Sequence, residues 1–187
     1  MSAASPPFDL ATLNAMDRDA FVAAVGSAFE NAEWVAAAAW SSRPFASVAA
    51  LHAAMMDVVM QASEAQKLAF LRGHPELAGR EARAGTMTAE SVSEQNSAGL
   101  NALTAAEVEE MQRLNRAYRE RHRFPFIIAV RANTKQQIFA TMRARIVEST
   151  EVEHGAALEQ IGLITHGRID ALVKEGMSNP REETDGK

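Results

Sequence analysis

The stretch Gly73-His74-Pro75-Glu76-Leu77-Ala78-Gly79 ends the alanine-rich helical pattern that precedes it. Pro75 fixes its own φ and disfavours helical backbone at the residue before it, while Gly73 tolerates angles that other residues avoid. His74 is therefore predicted to lie at a junction between a helix and a turn. An imidazole held there can be aimed, and it titrates near neutral pH. The alternative is a simple helix stop with a solvated histidine, and this stretch by itself favours that alternative.

The composition predicts one globular domain over residues 1–187. The chain is 47% apolar and 23% charged, and it is long enough to bury a core. A net charge of −5 argues against binding to nucleic acid. The lack of cysteine excludes disulfides, thiolate nucleophiles and cysteine-ligated metals.

The sequence also carries signals about cellular location and about order at the two ends of the chain. No apolar run approaches the roughly 20 residues that span a bilayer, and the start lacks the basic and apolar regions of a secretory signal. We therefore predict a cytoplasmic protein without a membrane segment. Residues 1–10 and 176–187 are predicted to be disordered tails, because they are polar or rich in small residues.

Apolar periodicity predicts an all-α fold of about seven to nine helices. The segment 80–86 is interpreted as a polar loop. The last helix is expected from Glu151 to about Lys174, although Gly155 and Gly162 leave its continuity open. Three helix starts carry the spacing of a capping box, namely Ser63 with Gln66, Thr104 with Glu107, and Thr134 with Gln137.

One strand-like run interrupts the helices, Phe124-Pro125-Phe126-Ile127-Ile128-Ala129-Val130-Arg131. It is short, aromatic and β-branched, which is typical of a strand. No second strand of similar quality can pair with it. We therefore predict a buried extended segment between helices.

A polar triplet lies in a helix that is otherwise rich in small residues. Ser91, Glu94 and Gln95 are at positions i, i+3 and i+4 and so share one face, which Ala98 extends. Such a face is usually solvated. The alternative is a carboxylate beside an amide, pointing into a cavity, and the residues by themselves favour the solvated face.

Arg131 ends the hydrophobic extended run, where a charge is expensive to bury without a partner. It either pairs with a carboxylate of the protein, for which Glu94 is a candidate, or binds an anionic ligand. The chain has no zinc-ligand spacing, no phosphate-binding glycine loop, no dinucleotide fingerprint and no nucleophile elbow. These residues therefore carry no sign of a metal or cofactor.

Three segments together resemble a known family. His-Pro-Glu-Leu-Ala-Gly at 74–79, Ser-x-x-Glu-Gln-x-x-Ala-Gly at 91–99 and the run at 124–131 are similar, in order and spacing, to signature segments of 2-oxo-4-hydroxy-4-carboxy-5-ureidoimidazoline (OHCU) decarboxylases. Phe29-Glu30-x-x-x-Trp34 and Arg43-Pro44-Phe45 are also typical of that family. The resemblance covers nearly the whole chain apart from its tails.

The resemblance implies an all-α homodimer that needs no cofactor or metal and converts a small-molecule substrate to (S)-allantoin, the last step from urate. It implies that His74 is the catalytic acid or base, that Glu94 and Gln95 contact the substrate near its reacting carbon, and that Arg131 holds an anionic or carbonyl group. The family commonly has a glycine after this arginine, whereas this chain has Ala132. An alanine there would be strained if the position needed a positive φ. The substrate-binding residues implied are Pro75, Ser91, Gln95, Phe126, Ile127, Ile128, Ala129, Val130 and Arg131.

Two alternatives remain open on the residues alone. One is an enzyme acting on a related ureido or imidazoline substrate. The other is an inactive helical binding protein of the same fold, which would have no need to combine His74, Glu94, Gln95 and Arg131.

Overall fold

Ten α-helices make up most of the computed structural model, which describes residues 7–175. The all-α prediction is confirmed, and the number of helices in this part of the chain exceeds the predicted seven to nine. The helices are α1 (Leu10–Ala15), α2 (Arg18–Val25), α3 (Glu33–Ala39), α4 (Val48–Gln61), α5 (Glu64–Arg72), α6 (Arg80–Ala84), α7 (Ala89–Ser97), α8 (Ala105–His122), α9 (Lys135–Arg145) and α10 (Thr150–Leu172). Short 3-10 helices cover Gly26–Ala28, Trp40–Ser42 and Val130–Ala132.

Side-chain caps begin several of these helices as predicted. The side chains of Ser63, Thr104 and Thr134 each accept a hydrogen bond from the backbone N–H three residues later. The side chain of that later residue accepts one from the backbone N–H of the capping residue, so all three capping boxes are confirmed. Each box satisfies backbone N–H groups that have no partner within the helix. Helix α10 is unbroken, and its glycines face open space or make ordinary contacts.

The loop predicted at 80–86 is wrong, because Arg80–Ala84 forms helix α6. The helix begins after Gly79 and ends at Gly85, which has a φ of +68°. A left-handed glycine commonly ends a helix. One turn of helix is too short to show apolar periodicity, so the pattern gave no signal for it.

A two-residue parallel strand pair joins the two ends of the described chain. β1 (Phe8–Asp9) pairs with β2 (Val173–Lys174), and α1 begins at Leu10. The predicted tail 1–10 is therefore too long, because Phe8 and Asp9 pair with a strand far away in the sequence and Leu10 begins a helix. The rest of that tail, residues 1–6, and the tail 176–187 lie outside the described residues.

The long helix α10 forms the centre of the molecule. It packs against α4, α2 and α8, and α4 also packs against α3. Residues 124–130 are all buried and have no regular hydrogen-bonded structure up to the 3-10 helix at 130, which confirms the predicted buried extended segment. Within residues 7–175, no helix is both long and apolar enough to cross a membrane.

Candidate active site

A small cavity of about 40 Å³ lies between the 74–77 turn, helix α7, the extended segment and helix α10. It brings together most of the predicted site residues, while Ala129 and Arg131 do not line it. Three lining residues, Leu77, Ile164 and Arg168, were not predicted as site residues. The lining residues are His74, Pro75, Leu77, Ser91, Glu94, Gln95, Phe126, Ile127, Ile128, Val130, Ile164 and Arg168.

His74 is half-buried at the end of α5 and is held by that helix. Its Nδ1 lies 3.3 Å from the carbonyl oxygen of Phe70, and its ring packs edge-on against the Phe70 ring at 5.2 Å. A carbonyl oxygen can only accept, so Nδ1 carries the proton and Nε2 keeps its lone pair. Burial lowers the pKa of His74 to about 4. The imidazole is therefore neutral at pH 7, with a basic nitrogen available.

The carboxylate of Glu94 forms a two-point ion pair with Arg168 of α10. Arg168 Nε lies 2.9 Å from Glu94 Oε1, and Nη2 lies 2.8 Å from Glu94 Oε2. Both side chains are buried. The interpretation of the 91–95 face as solvated is wrong, because Ser91, Glu94 and Gln95 are all buried as well.

A second buried carboxylate, Glu30, binds the other side of the same guanidinium. Arg168 Nη1 donates to Glu30 Oε2 at 2.9 Å, and the hydroxyls of Ser91 and Thr88 donate to Glu30 at 2.8 and 2.9 Å. Burial alone raises the pKa of Glu30, but the hydrogen bonds from Arg168, Ser91 and Thr88 outweigh it and hold the pKa below its usual value. In the sequence, Glu30 belongs to a stretch that is typical of the family, and that stretch by itself predicts no role for it.

The charge of this cluster is not balanced. Glu30 and Glu94 each carry a negative charge against one positive charge on Arg168, which leaves a net charge of −1. Arg168 already makes four hydrogen bonds with its five N–H groups, to Glu94, Glu30 and Ser91. Arg168 therefore has few hydrogen-bond donors to offer an anionic ligand unless one of these bonds breaks.

Gln95 supports the turn that carries His74. Its Oε1 accepts from Ala78 N at 2.8 Å, and its Nε2 lies 3.4 Å from Glu76 O. Ala78 has a φ of +46°, an uncommon conformation for alanine. The buried Asn115 adds a bond from Nδ2 to Leu77 O at 3.0 Å. Gln95 thus fixes the shape of the turn as well as lining the cavity.

Arg131 forms no hydrogen bond or ion pair with this cluster. It is exposed and donates to Ser93 Oγ at 3.3 Å. With Ala129 it lines a second, mainly apolar cavity of about 390 Å³, which Glu94 and Arg168 also line. The candidate pairing of Arg131 with Glu94 does not form, because the 3-10 helix at Val130–Ala132 turns Arg131 to the surface and Arg168 pairs with Glu94. Ala132 has no positive φ, so the strain expected from the missing glycine is absent.

One signal for Arg168 was present in the sequence. It lies four residues after Ile164 and seven after Ile161, so an arginine falls on the apolar face of the last helix. A charge at such a position needs a buried partner. Among residues 7–175, no group of three or more histidine, aspartate or glutamate side chains is arranged to hold a metal ion.

A neutral imidazole and a buried carboxylate that line one cavity are the kinds of group that general acid–base catalysis uses. The family model described as OHCU decarboxylase matches residues 14–170. Proteins named OHCU decarboxylase are 40% identical over 161 residues in Halalkalicoccus jeotgali, covering 86% of this chain and 89% of that protein, and 41% identical over 160 residues in Haloferax volcanii, covering 86% and 93%. The chain belongs to the OHCU decarboxylase family.

Solved structures share this fold. A crystal structure of (S)-allantoin synthase aligns with a TM-score of 0.72 and 29% identity over 90% of this chain, which spans only 54% of that longer chain. A structure titled OHCU decarboxylase in the presence of (S)-allantoin aligns with a TM-score of 0.64 at 20% identity, covering 84% of this chain and 98% of that one. The second likeness supports the fold alone.

Proposed function

We propose that this chain decarboxylates OHCU to (S)-allantoin and CO2, the last step of urate degradation. The observation that carries the proposal is that the neutral His74 and Glu94 line one cavity, within a chain of this family. Pro75, Ser91, Gln95 and the extended segment complete the walls around the ligand.

The substrate supplies its own electron sink. Its reacting carbon carries a hydroxyl and a carboxylate and adjoins a ring C=N bond. When the bond to the carboxylate breaks, its electron pair forms a C=C bond and the C=N nitrogen takes up a proton. Loss of the hydroxyl proton and protonation of the neighbouring carbon then give allantoin. The anionic substrate consumes one proton overall, and no cofactor enters this balance.

His74 takes a proton first and gives one later in this scheme. Because the imidazole begins neutral with a free lone pair on Nε2, it accepts the hydroxyl proton. The resulting imidazolium, next to Glu94 and Glu30, then protonates the neighbouring carbon from one side. Delivery from one side sets the stereochemistry of the product.

The anionic cluster favours loss of CO2. A substrate carboxylate near Glu94 meets a net charge of −1, and Arg168 is already engaged. Loss of neutral CO2 moves negative charge from the carboxylate into the ring, where protons can reach it. Arg131, exposed at the larger cavity, is a cation that can attract the anionic substrate without breaking an ion pair.

The proposal predicts a large optical signal. With substrate generated in the cuvette from urate, this protein is expected to accelerate the appearance of circular dichroism from (S)-allantoin. Uncatalysed decay passes through a planar intermediate and yields a racemate, which gives no such signal. A sample without the protein is the control, and equal rates of optical signal in both would contradict the proposal. Binding of product without acceleration would indicate a binding protein instead.

We further propose a cytoplasmic homodimer, as the family resemblance implies. Sedimentation equilibrium is expected to return twice the mass of one chain, and the mass of a single chain at micromolar concentration would contradict this. The −5 charge supports the absence of a nucleic-acid partner.

A further inference from the structure

The backbone of the extended segment has a mixed pattern of partners. Ile127 O accepts from Arg145 Nη1 at 3.0 Å, and Ala129 N donates to Gln160 Oε1 at 2.9 Å. Between them, the N–H and C=O of Ile128 have no hydrogen-bond partner among the described residues. Ile128 is buried and lines the small cavity. A buried peptide group without a partner is costly, which points to a ligand as the missing partner.

Peptide planarity links these groups. In a trans peptide the C=O of one residue and the N–H of the next point in opposite directions. The bond from Arg145 to Ile127 O therefore turns the N–H of Ile128 the other way, and the bond from Ala129 N to Gln160 does the same for the C=O of Ile128. In an extended chain both groups of one residue point to the same side. Ile128 thus presents one donor and one acceptor together, on the side away from Arg145 and Gln160.

We propose that Arg145 and Gln160 are positioning residues, which aim the N–H and C=O of Ile128 at an edge of the ligand that carries an N–H beside a C=O. Ring and ureido amides have such an edge. The proposal rests on the proposed function for the identity of the substrate. Neither Arg145 nor Gln160 lines the small cavity, so both act through the backbone.

Arg145 is itself held rigidly. Its Nε lies 2.9 Å from Glu153 Oε2, which also accepts from the Tyr118 hydroxyl at 2.5 Å. Its guanidinium stacks over the Phe126 ring at 4.8 Å. Glu153 and Tyr118 are almost fully buried. Three helices, α8, α9 and α10, therefore fix the direction of one carbonyl group.

Gln160→Leu is the sharper test, because loss of Arg145 would also leave Glu153 without its buried partner. The probe is hydantoin, a ring with adjacent N–H and C=O groups, and the readout is the Ile128 amide in spectra of 15N-isoleucine protein. In the wild type this amide is expected to shift on titration, and 1,3-dimethylhydantoin, which has no N–H, is expected to bind about tenfold more weakly. Gln160→Leu should weaken the binding of hydantoin about tenfold and abolish the preference for hydantoin over 1,3-dimethylhydantoin.

Two further variants separate positioning from a general loss of structure. Gln160→Glu keeps an acceptor for Ala129 N and is expected to restore the preference, whereas Gln136→Leu, an exposed glutamine of α9, should leave it unchanged. In turnover, Gln160→Leu is expected to raise KM about tenfold with kcat within about threefold, while partial unfolding would lower apparent kcat alone.

The outcomes distinguish this proposal from the proposed function. An Ile128 amide that does not respond to hydantoin, or a Gln160→Leu protein that keeps the preference, would overturn the positioning role even if the wild type turns over OHCU. A wild type that shows the full binding pattern but no acceleration would support the positioning role and overturn the proposed function.

Discussion

Replacement of His74 with asparagine is expected to lower kcat for OHCU by about 10²- to 10⁴-fold, the usual contribution of a general acid or base. The asparagine amide can still donate to the Phe70 carbonyl, so the end of α5 should keep its shape. It has no basic nitrogen to take the hydroxyl proton. The measurement is the initial rate of optical signal from (S)-allantoin at saturating substrate.

The pH dependence of the wild-type enzyme is also expected to report the lowered pKa of His74. Because the free enzyme holds His74 with a pKa of about 4, kcat/KM should fall on the acid side near pH 4 and show no inflection near the ordinary value of 6.5. The stability of the fold is also expected to fall on the acid side. The unfolded chain binds more protons than the native state between these two values, so the free energy of unfolding decreases as pH falls through that window. His74→Asn should remove this part of the acid sensitivity.

His166→Asn is the matched control. His166 is exposed on α10 and pairs with Asp170 at 2.9 Å, outside both cavities that border Glu94. The initial rate of the His166→Asn protein should match that of the wild type. A His74→Asn protein that folds normally and retains more than about a tenth of the wild-type rate would remove His74 from proton transfer.

Replacement of Arg168 with methionine is expected to lower the free energy of unfolding by about 3–5 kcal/mol, the cost of removing one partner of a buried ion pair. Two carboxylates, Glu30 and Glu94, would lose their shared cation in a site that water barely reaches. Methionine has a similar length, so loss of packing should contribute little. Urea unfolding followed by far-UV circular dichroism gives the measurement.

Arg131→Met tests whether the effect belongs to the buried pair. Arg131 is exposed and has one hydrogen bond, to Ser93, so its loss should change stability by less than about 0.5 kcal/mol. Adding Glu94→Gln to Arg168→Met should recover part of the lost stability, because one of the two unpaired charges is removed. Equal stabilities of the Arg168→Met and Arg131→Met proteins would refute the charge cluster as described.

Much of the helical frame could be predicted because its signals are local. The pair Thr104 and Glu107 marks the start of α8 through bonds that span only three residues. Helix α6 escaped prediction because a single turn has no periodicity. The strand at Phe8 escaped because its partner, Val173, is at the other end of the chain.

Which residues share a helix face and where the backbone turns follow from the local sequence. Ser91, Glu94 and Gln95 had to lie together on one helix, and Pro75 had to end the helix before His74, because both depend on backbone geometry over a few residues.

The partners of the charged groups in the site depend instead on how the helices pack against one another. Arg168 meets Glu30 across 138 positions of sequence and also pairs with the carboxylate of Glu94, for which the sequence offered Arg131 as one candidate. Which cation reaches a buried carboxylate depends on how whole helices pack, and no short-range spacing encodes that. The same packing half-buries His74 and keeps its imidazole neutral, so this histidine at a helix end is a candidate base.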